Sequence, residues 1–81
     1  MCFIKNGDDE IVLYKDGMVF EVRKHYYNDK LIAYNLVMEE KLIESYDEAE
    51  IAITAMKEVL NQIFKRKRYI DMEKINLLIE A

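Results

Sequence analysis

Four consecutive cations, Lys65, Arg66, Lys67 and Arg68, stand out on a chain whose net charge is −4. With Tyr69 next to them, they could clamp phosphate groups and stack a base, which is the chemistry of a nucleic-acid contact. An acidic protein partner would suit the same charges. Consecutive residues of a helix point around most of its circumference, so the simplest interpretation is a solvated helix end.

Side chains that could catalyse a reaction are few. His25 is the only histidine and Cys2 is the only cysteine of the chain. A general base or a nucleophile needs an oriented neighbour, and the sequence places none beside either residue. Ser45 and Thr54 are expected at a helix cap and inside a helix, respectively. We therefore expect a protein that is not an enzyme.

Metal and cofactor sites are not predicted either. Asp8, Asp9 and Glu10 form an acidic run, but a calcium loop needs oxygen ligands at alternating positions over about 12 residues. A single cysteine cannot build a zinc site of the cysteine type. Gly7 and Gly17 lie too far apart to form a phosphate-binding loop. The expected cofactor is none.

The composition predicts one small domain, residues 1–81. A hydrophobic fraction of 52% supports a packed core and argues against disorder. No apolar run has the length of a signal peptide or a membrane span, and a lone cysteine suits a reducing compartment. We expect a cytoplasmic protein, in the host cytoplasm if it is viral, without membrane contact.

Turn signals predict the first part of the fold. Asp16-Gly17 separates two apolar runs, 11–14 and 18–22, and is typical of a type I′ hairpin turn. A two-residue loop there would bury one face of the hairpin, with Leu13 opposite Phe20. The residues expected on the core side are Ile11, Leu13, Phe20 and Val22. Those expected on the solvent side are Val12, Tyr14, Val19, Glu21, Arg23, His25 and Tyr27.

A second turn is predicted near Asn28-Asp29. An odd-numbered loop would bury Ile32, Tyr34, Leu36 and Met38. A two-residue loop would bury Leu31, Ala33, Asn35 and Val37. We favour the odd loop because it buries more apolar volume and leaves the Asn35 amide in water. Glu39-Glu40 predicts another turn, residues 41–43 a short last strand, and residues 2–5 an edge strand joined through Asn6-Gly7.

Helix signals occupy the second half of the chain. Ser45 followed by Glu48 is a capping box, which predicts a long helix over about 45–68. Its expected core stripe is Ala49, Ala52, Ile53, Met56, Leu60, Ile63 and Phe64. At about 100° per residue, Met72, Ile75 and Ile79 point away from this stripe. We therefore predict a break around residues 68–71, with Asp71 capping a short helix over about 71–80.

The predicted fold class is α+β. An antiparallel meander of three to five short strands, over about 2–43, packs on the long helix and is followed by the short terminal helix. That terminal helix is apolar on more than one face, which predicts a dimer or partner surface.

The function favoured by these observations is a small non-enzymatic protein-interaction module. One such module would be a phage or mobile-element accessory protein that inhibits a host defence complex or nuclease, with carboxylates in place of phosphates. Its partner would be a larger, basic protein, and a homodimer is a second expected assembly. The alternative is a small nucleic-acid-binding protein or regulator that uses residues 65–68, although a pI near 5.0 disfavours nucleic acid.

The residues expected to contact a protein partner are Tyr14, Val19, Tyr27, Asp8, Asp9, Glu10, Glu39, Glu40, Ile75, Leu78 and Ile79. Those expected to contact nucleic acid or an acidic partner are Lys65, Arg66, Lys67 and Arg68.

Overall fold

In the part of the chain that the structure describes, five strands precede the first helix and a sixth lies between the two helices, an order that only partly follows the predicted meander. The structure is a computed structural model that describes residues 1–7 and 10–80. The strands in this part of the chain are β1 Cys2–Asn6, β2 Glu10–Tyr14, β3 Phe20–Tyr27, β4 Lys30–Met38, β5 Lys41–Tyr46 and β6 Tyr69–Asp71. The helices are α1 Ala49–Phe64 and α2 Met72–Glu80. The α+β class is confirmed.

The strands form two sheets of three strands each. One is the antiparallel meander β3-β4-β5, and the other has the order β2-β1-β6. Helix α1 contacts all three strands of the meander, and α2 contacts β1 and α1. The largest of the fully buried side chains come from both sheets and both helices: Ile4, Leu36, Met38, Ile43, Val59, Ile70, Met72 and Ile75. The two sheets therefore share one core.

The hairpin predicted at Asp16-Gly17 is wrong, because β2 pairs with β1 and not with β3. The turn itself forms, since the Met18 amide donates to the Lys15 carbonyl at 3.1 Å. Of its two central residues only Gly17 has a positive φ, 94°. A type I′ turn requires a positive φ at both. The turn carries the chain from one sheet to the other.

The changed pairing also reverses the buried face of β2. Val12 lies opposite Ile4 in the ladder and is buried, whereas Ile11 is 61% exposed. Tyr14 is partly buried because its ring stacks on Phe20, with the centroids 5.8 Å apart. The predicted faces of this strand were therefore wrong, since they assumed β3 as its neighbour.

Strand β1 occupies the centre of its sheet and not the predicted edge. Its other neighbour, β6, runs parallel to it, with Ile4 beside Ile70. The Phe3 amide extends this pairing by donating to the Arg68 carbonyl at 2.8 Å. The parallel ladder joins residues more than sixty positions apart, which turn signals along the chain cannot reveal.

The odd-numbered loop predicted near residue 28 is wrong. Tyr27 pairs with Lys30, so the loop has two residues, and both Asn28 and Asp29 have positive φ angles, 50° and 63°. These are the angles of a type I′ turn.

The buried face of β4 nevertheless follows the prediction near the core, where Leu36 and Met38 are fully buried. A β-bulge explains this result. His25 lies opposite Ala33 while Tyr26 lies opposite Leu31, which leaves Ile32 as the extra residue. One inserted residue moves all later side chains of a strand to the other face.

The predicted capping box at Ser45 does not form. Strand β5 continues to Tyr46, and α1 begins at Ala49 after an N-cap at Glu48 that makes no side-chain cap hydrogen bond. The Ser45 hydroxyl donates instead to Asn35 Oδ1 on β4, at 2.7 Å. Extending β5 buries the Tyr46 ring, and burial of an aromatic side chain outweighs the roughly 1 kcal/mol of an N-cap.

Helix α1 ends at Phe64 and not near residue 68. Its fully buried side chains are Ala52, Ala55 and Val59. Of the predicted stripe, Ala52 is buried and Met56 and Ile63 pack partly against the core, while Ile53, Leu60 and Phe64 are exposed.

The predicted break between the helices is confirmed, although the segment in it forms β6, which was not predicted. Asp71 caps α2 as predicted, because its Oδ1 accepts a hydrogen bond from the Glu73 amide at 3.0 Å. Of the helices that the structure describes, none is both long enough and apolar enough to cross a membrane.

Candidate functional site

The outer end of the β3–β4 hairpin extends beyond the rest of its sheet. Pairing between β4 and β5 ends at Tyr34, which lies opposite Tyr46. Residues 24–33 therefore form a two-stranded ribbon, here called the arm. All of them are exposed except Ala33, which is half-buried. A ribbon of two strands has little stability of its own, so the arm depends on the sheet from which it extends.

Four large apolar or aromatic side chains are exposed on the arm. Tyr26 is 54% exposed, Tyr27 66%, Leu31 42% and Ile32 50%. Tyrosine among aliphatic residues is the composition found at the centre of protein interfaces, where such side chains contribute most of the binding energy.

The two faces of the arm differ. Tyr26 lies opposite Leu31, and its position in β3 has the same parity as Val22 and Phe20, which face the core. The core-facing side of the sheet thus continues onto the arm, where it carries Lys24 as well as Tyr26 and Leu31. Tyr27 has the opposite parity and lies beside the type I′ turn. Both central residues of that turn lie in the left-handed region, which gives the tip a defined shape.

Charges on the arm differ from those of the whole chain. Lys24 and Lys30 outnumber the single carboxylate of Asp29, so the arm has a formal charge of +1 with His25 neutral, against −4 for the chain. His25 lies opposite Ala33 and is exposed. Within residues 1–7 and 10–80, no group of three His, Cys, Asp or Glu side chains is placed to hold a metal ion.

Two carboxylates predicted to face a partner are engaged within the fold. Arg23 donates to both carboxylate oxygens of Glu40, at 2.8 and 3.0 Å, and also pairs with Glu21. Arg23 holds the pKa of Glu40 below its usual value, mainly through these hydrogen bonds. Glu39 accepts a hydrogen bond from the Val19 amide at 3.0 Å. Glu39 and Glu40 form the predicted turn, and both have positive φ angles.

The remaining predicted partner residues belong to different parts of the chain. Glu10 is exposed at the start of β2, and Asp8 and Asp9 lie outside the described residues. Val19 is 64% exposed. In α2, Leu78 is 67% exposed, Ile79 packs partly against the core, and Ile75 is fully buried and unavailable to a partner in this fold. Of these residues, the structure removes Ile75 from the candidate partner surface and leaves Glu10, Val19 and Leu78 exposed.

The basic run does not continue α1. The Arg66 amide donates to the Ile63 carbonyl at 2.9 Å and the Lys67 amide donates to the Gln62 carbonyl at 3.1 Å. Arg66 has a φ of 62°. This is a Schellman motif, in which glycine usually occupies the left-handed position. The chain turns sharply here, so the cations are no longer spread around a helix.

Beside this turn lies a cleft of about 650 Å³, here called the basic cleft. Its lining residues are Met1, Cys2, Tyr14, Asp16, Ile63, Phe64, Arg66, Lys67 and Arg68. Burial raises the pKa of the Cys2 thiol, although the positive N-terminus acts in the other direction. A thiol with a raised pKa is a poor nucleophile. Arg66, Lys67 and Arg68 give the cleft the positive charge needed to bind an anion.

Sequence reasoning missed three of the four large apolar or aromatic residues that are exposed on the arm. Tyr26 and Leu31 were assigned no role, and Ile32 was expected in the core. A signal was present, because paired large side chains flank Asn28-Asp29 on both sides. Whether these side chains are exposed depends on how far β5 extends along β4, and the sequence does not show this.

Comparison of the chain with protein-family models, with curated proteins and with solved structures finds no match.

Proposed function

We propose that this chain is a protein-interaction module that binds its partner through the arm. The observation that supports this is the exposure of Tyr26, Tyr27, Leu31 and Ile32 on a ribbon that extends from the sheet. Contact with a partner would remove these side chains from water, which is favourable by roughly 25 cal/mol per Å² of apolar surface.

The partner that fits the arm is another protein with an apolar groove and carboxylates along its rim. Tyr26 and Leu31 would enter the groove as a cross-strand pair, and Lys24 and Lys30 would face the rim. These charges favour an acidic rim, in contrast to the basic partner expected from the whole sequence. On β3 itself, Lys24 disfavours simple strand addition at the edge of this strand. Docking by side chains is therefore the favoured mode.

Inhibition of a nuclease or a host defence complex remains a finer prediction. The phosphate mimicry proposed for it would have to use carboxylates other than Glu39 and Glu40, since Arg23 pairs with Glu40 and Glu39 accepts a hydrogen bond from a backbone amide. A protein that inhibits through the arm would instead block a site by occupying its apolar groove.

The test compares three purified proteins: the wild type, the arm variant Tyr26→Ser/Leu31→Ser, and the matched control Ile11→Ser. Ile11 is as exposed as the arm residues but lies on β2. A photo-crosslinker at position 27 identifies a partner, and titration with that purified protein then measures Kd. We expect the arm variant to bind at least about tenfold more weakly, with the control unchanged and both variants folded by circular dichroism.

Equal binding by the arm variant and the wild type would overturn the proposal. Crosslinking of the chain to a second copy of itself, with a matching dimer mass by light scattering, would show that the arm forms a homodimer and does not bind a different protein. Loss of binding in the Ile11→Ser control would place the contact on β2 instead of the arm.

A further inference from the structure

The basic cleft is separate from the arm and has the dimensions of a ligand site. It lies between the N-terminal residues, the end of β2 and the turn that follows α1. Its volume of about 650 Å³ falls within the roughly 300–1,000 Å³ of small-molecule sites.

Three residues of the basic run contribute to the lining of this cleft. Arg66, Lys67 and Arg68 line it, whereas Lys65 does not. Over the residues that the structure describes, the only cation in an ion pair is Arg23. Asp16 also lines the cleft but forms no ion pair with these cations. The like charges repel one another, and a bound anion would relieve that repulsion.

The backbone turn that positions these basic residues is strained at Arg66. Arg66 takes a left-handed φ that disfavours a side chain with a Cβ. The Schellman bonds to Ile63 and Gln62 nevertheless fix the turn. The Arg68 carbonyl is bonded to the Phe3 amide, which fixes the other end of the run. The cations are therefore carried by an ordered segment, which lowers the entropy lost on binding.

Two aromatic rings also line the cleft. Phe64 is 86% exposed at the last turn of α1, and Tyr14 is held by its stacking on Phe20. An exposed aromatic ring next to cations is the combination that binds a flat ring attached to a phosphate.

The charge of the chain limits the size of the ligand. Fields are screened over about 8 Å at physiological salt, so an anion inside the cleft is influenced mainly by Arg66, Lys67 and Arg68. A long polyanion would extend beyond them along a chain whose net charge is −4. The cleft therefore favours a compact anion over a nucleic-acid strand.

From these observations we infer that the basic cleft binds a mononucleotide-sized phosphate ester that carries a flat ring. The phosphate would lie among Arg66, Lys67 and Arg68, and the ring would stack on Phe64 or Tyr14. This site is independent of the arm and of the protein-interaction function proposed for it.

The test is a titration of the intact chain with adenosine 5′-monophosphate, followed by backbone amide NMR shifts and calorimetry. We expect shifts at residues 64–68 and near Tyr14, and weaker binding as salt rises from about 50 to about 200 mM. Adenosine, which lacks the phosphate, and ribose 5-phosphate, which lacks the base, should each bind at least about fivefold more weakly.

The diagnostic variant is Lys67→Gln/Arg68→Gln, which leaves the left-handed Arg66 in place. Its Kd for the mononucleotide should rise at least about tenfold. The matched control Lys24→Gln/Lys30→Gln removes the same charge from the arm and should bind as the wild type does.

Three outcomes would overturn the inference. One is the absence of saturable binding below about 5 mM mononucleotide. Another is an equal loss of affinity in both double variants, which would indicate nonspecific attraction. A third is much tighter binding of a single-stranded oligonucleotide whose affinity increases with its length, which would indicate a nucleic-acid surface.

Discussion

The Tyr46 hydroxyl donates to Asn76 Oδ1 at 2.6 Å and thereby joins the last strand of the meander to α2. The Asn76 amide in turn donates to Glu44 Oε2 at 3.1 Å. This network is the polar counterpart of the core that both sheets share, because it connects α2, which packs on β1, to β5 of the other sheet.

Replacing Tyr46 by phenylalanine should destabilise the protein by about 1–2 kcal/mol. The Oδ1 atom of the partly buried Asn76 would then lose the hydroxyl that donates a hydrogen bond to it. In a domain of this size, a loss of 1 kcal/mol lowers Tm by about 4–8 °C. Thermal and urea unfolding measure the change. An unaltered Tm would show that the hydroxyl contributes nothing net.

Tyr46 should also make the stability of the protein depend on pH in the alkaline range. Burial, followed by the nearby charges of Glu44 and Glu80, raises the pKa of Tyr46 well above its ordinary value. The unfolded chain ionises near pH 10, so this stabilisation is complete below about pH 10 and is lost as the pH rises above it. The stability difference between wild type and Tyr46→Phe should therefore shrink above pH 10, whereas a constant difference up to pH 12 would contradict the assignment.

An acid effect is expected at the ion pair of Arg23 and Glu40. The pair lowers the folded-state pKa of Glu40, so its contribution is present above the unfolded value near pH 4.3 and is lost as the pH falls. Glu40→Gln should lower Tm slightly at pH 7, and this difference should shrink as the pH falls from about 4 to about 2. Both carboxylate and amide occupy the same left-handed turn position, so the substitution isolates the charge. A Tm difference that does not shrink over this range would contradict this account.

The Schellman turn predicts a stabilising substitution. Replacing Arg66 by glycine removes the strain of a left-handed non-glycine residue and should raise stability by roughly 0.5–1 kcal/mol. Arg66→Gln, which removes the charge but keeps the Cβ, separates strain from charge repulsion. We expect the glycine variant to have the higher Tm of the two, and the reverse order would refute the strain argument.

Replacement by alanine should change the stability of the protein by different amounts at the bulge and in the buried part of β4. Leu36→Ala removes a fully buried side chain and should cost about 2–5 kcal/mol. Ile32→Ala, on the exposed arm, should change stability by less than about 1 kcal/mol. Urea unfolding of both variants tests the register, because similar losses would place Ile32 in the core, where the sequence alone had suggested it.

Several features followed from the sequence because local interactions determine them. Turns at Asn28-Asp29 and Glu39-Glu40, the cap at Asp71 and the break between two amphipathic helices each depend on residues within a few positions of one another. These features were enough to establish the α+β class.

Tertiary structure decided what neighbouring residues could not. Strand β2 has two backbone edges and could pair with either neighbour in sequence. It pairs with β1 because Val12 and Ile4 enter a core completed by Ile70, far along the chain. The same packing leaves residues 24–33 outside the core and brings residues 66–68 beside Tyr14. Burial of apolar surface depends on contacts between distant segments, so both candidate sites emerge only when the chain is folded.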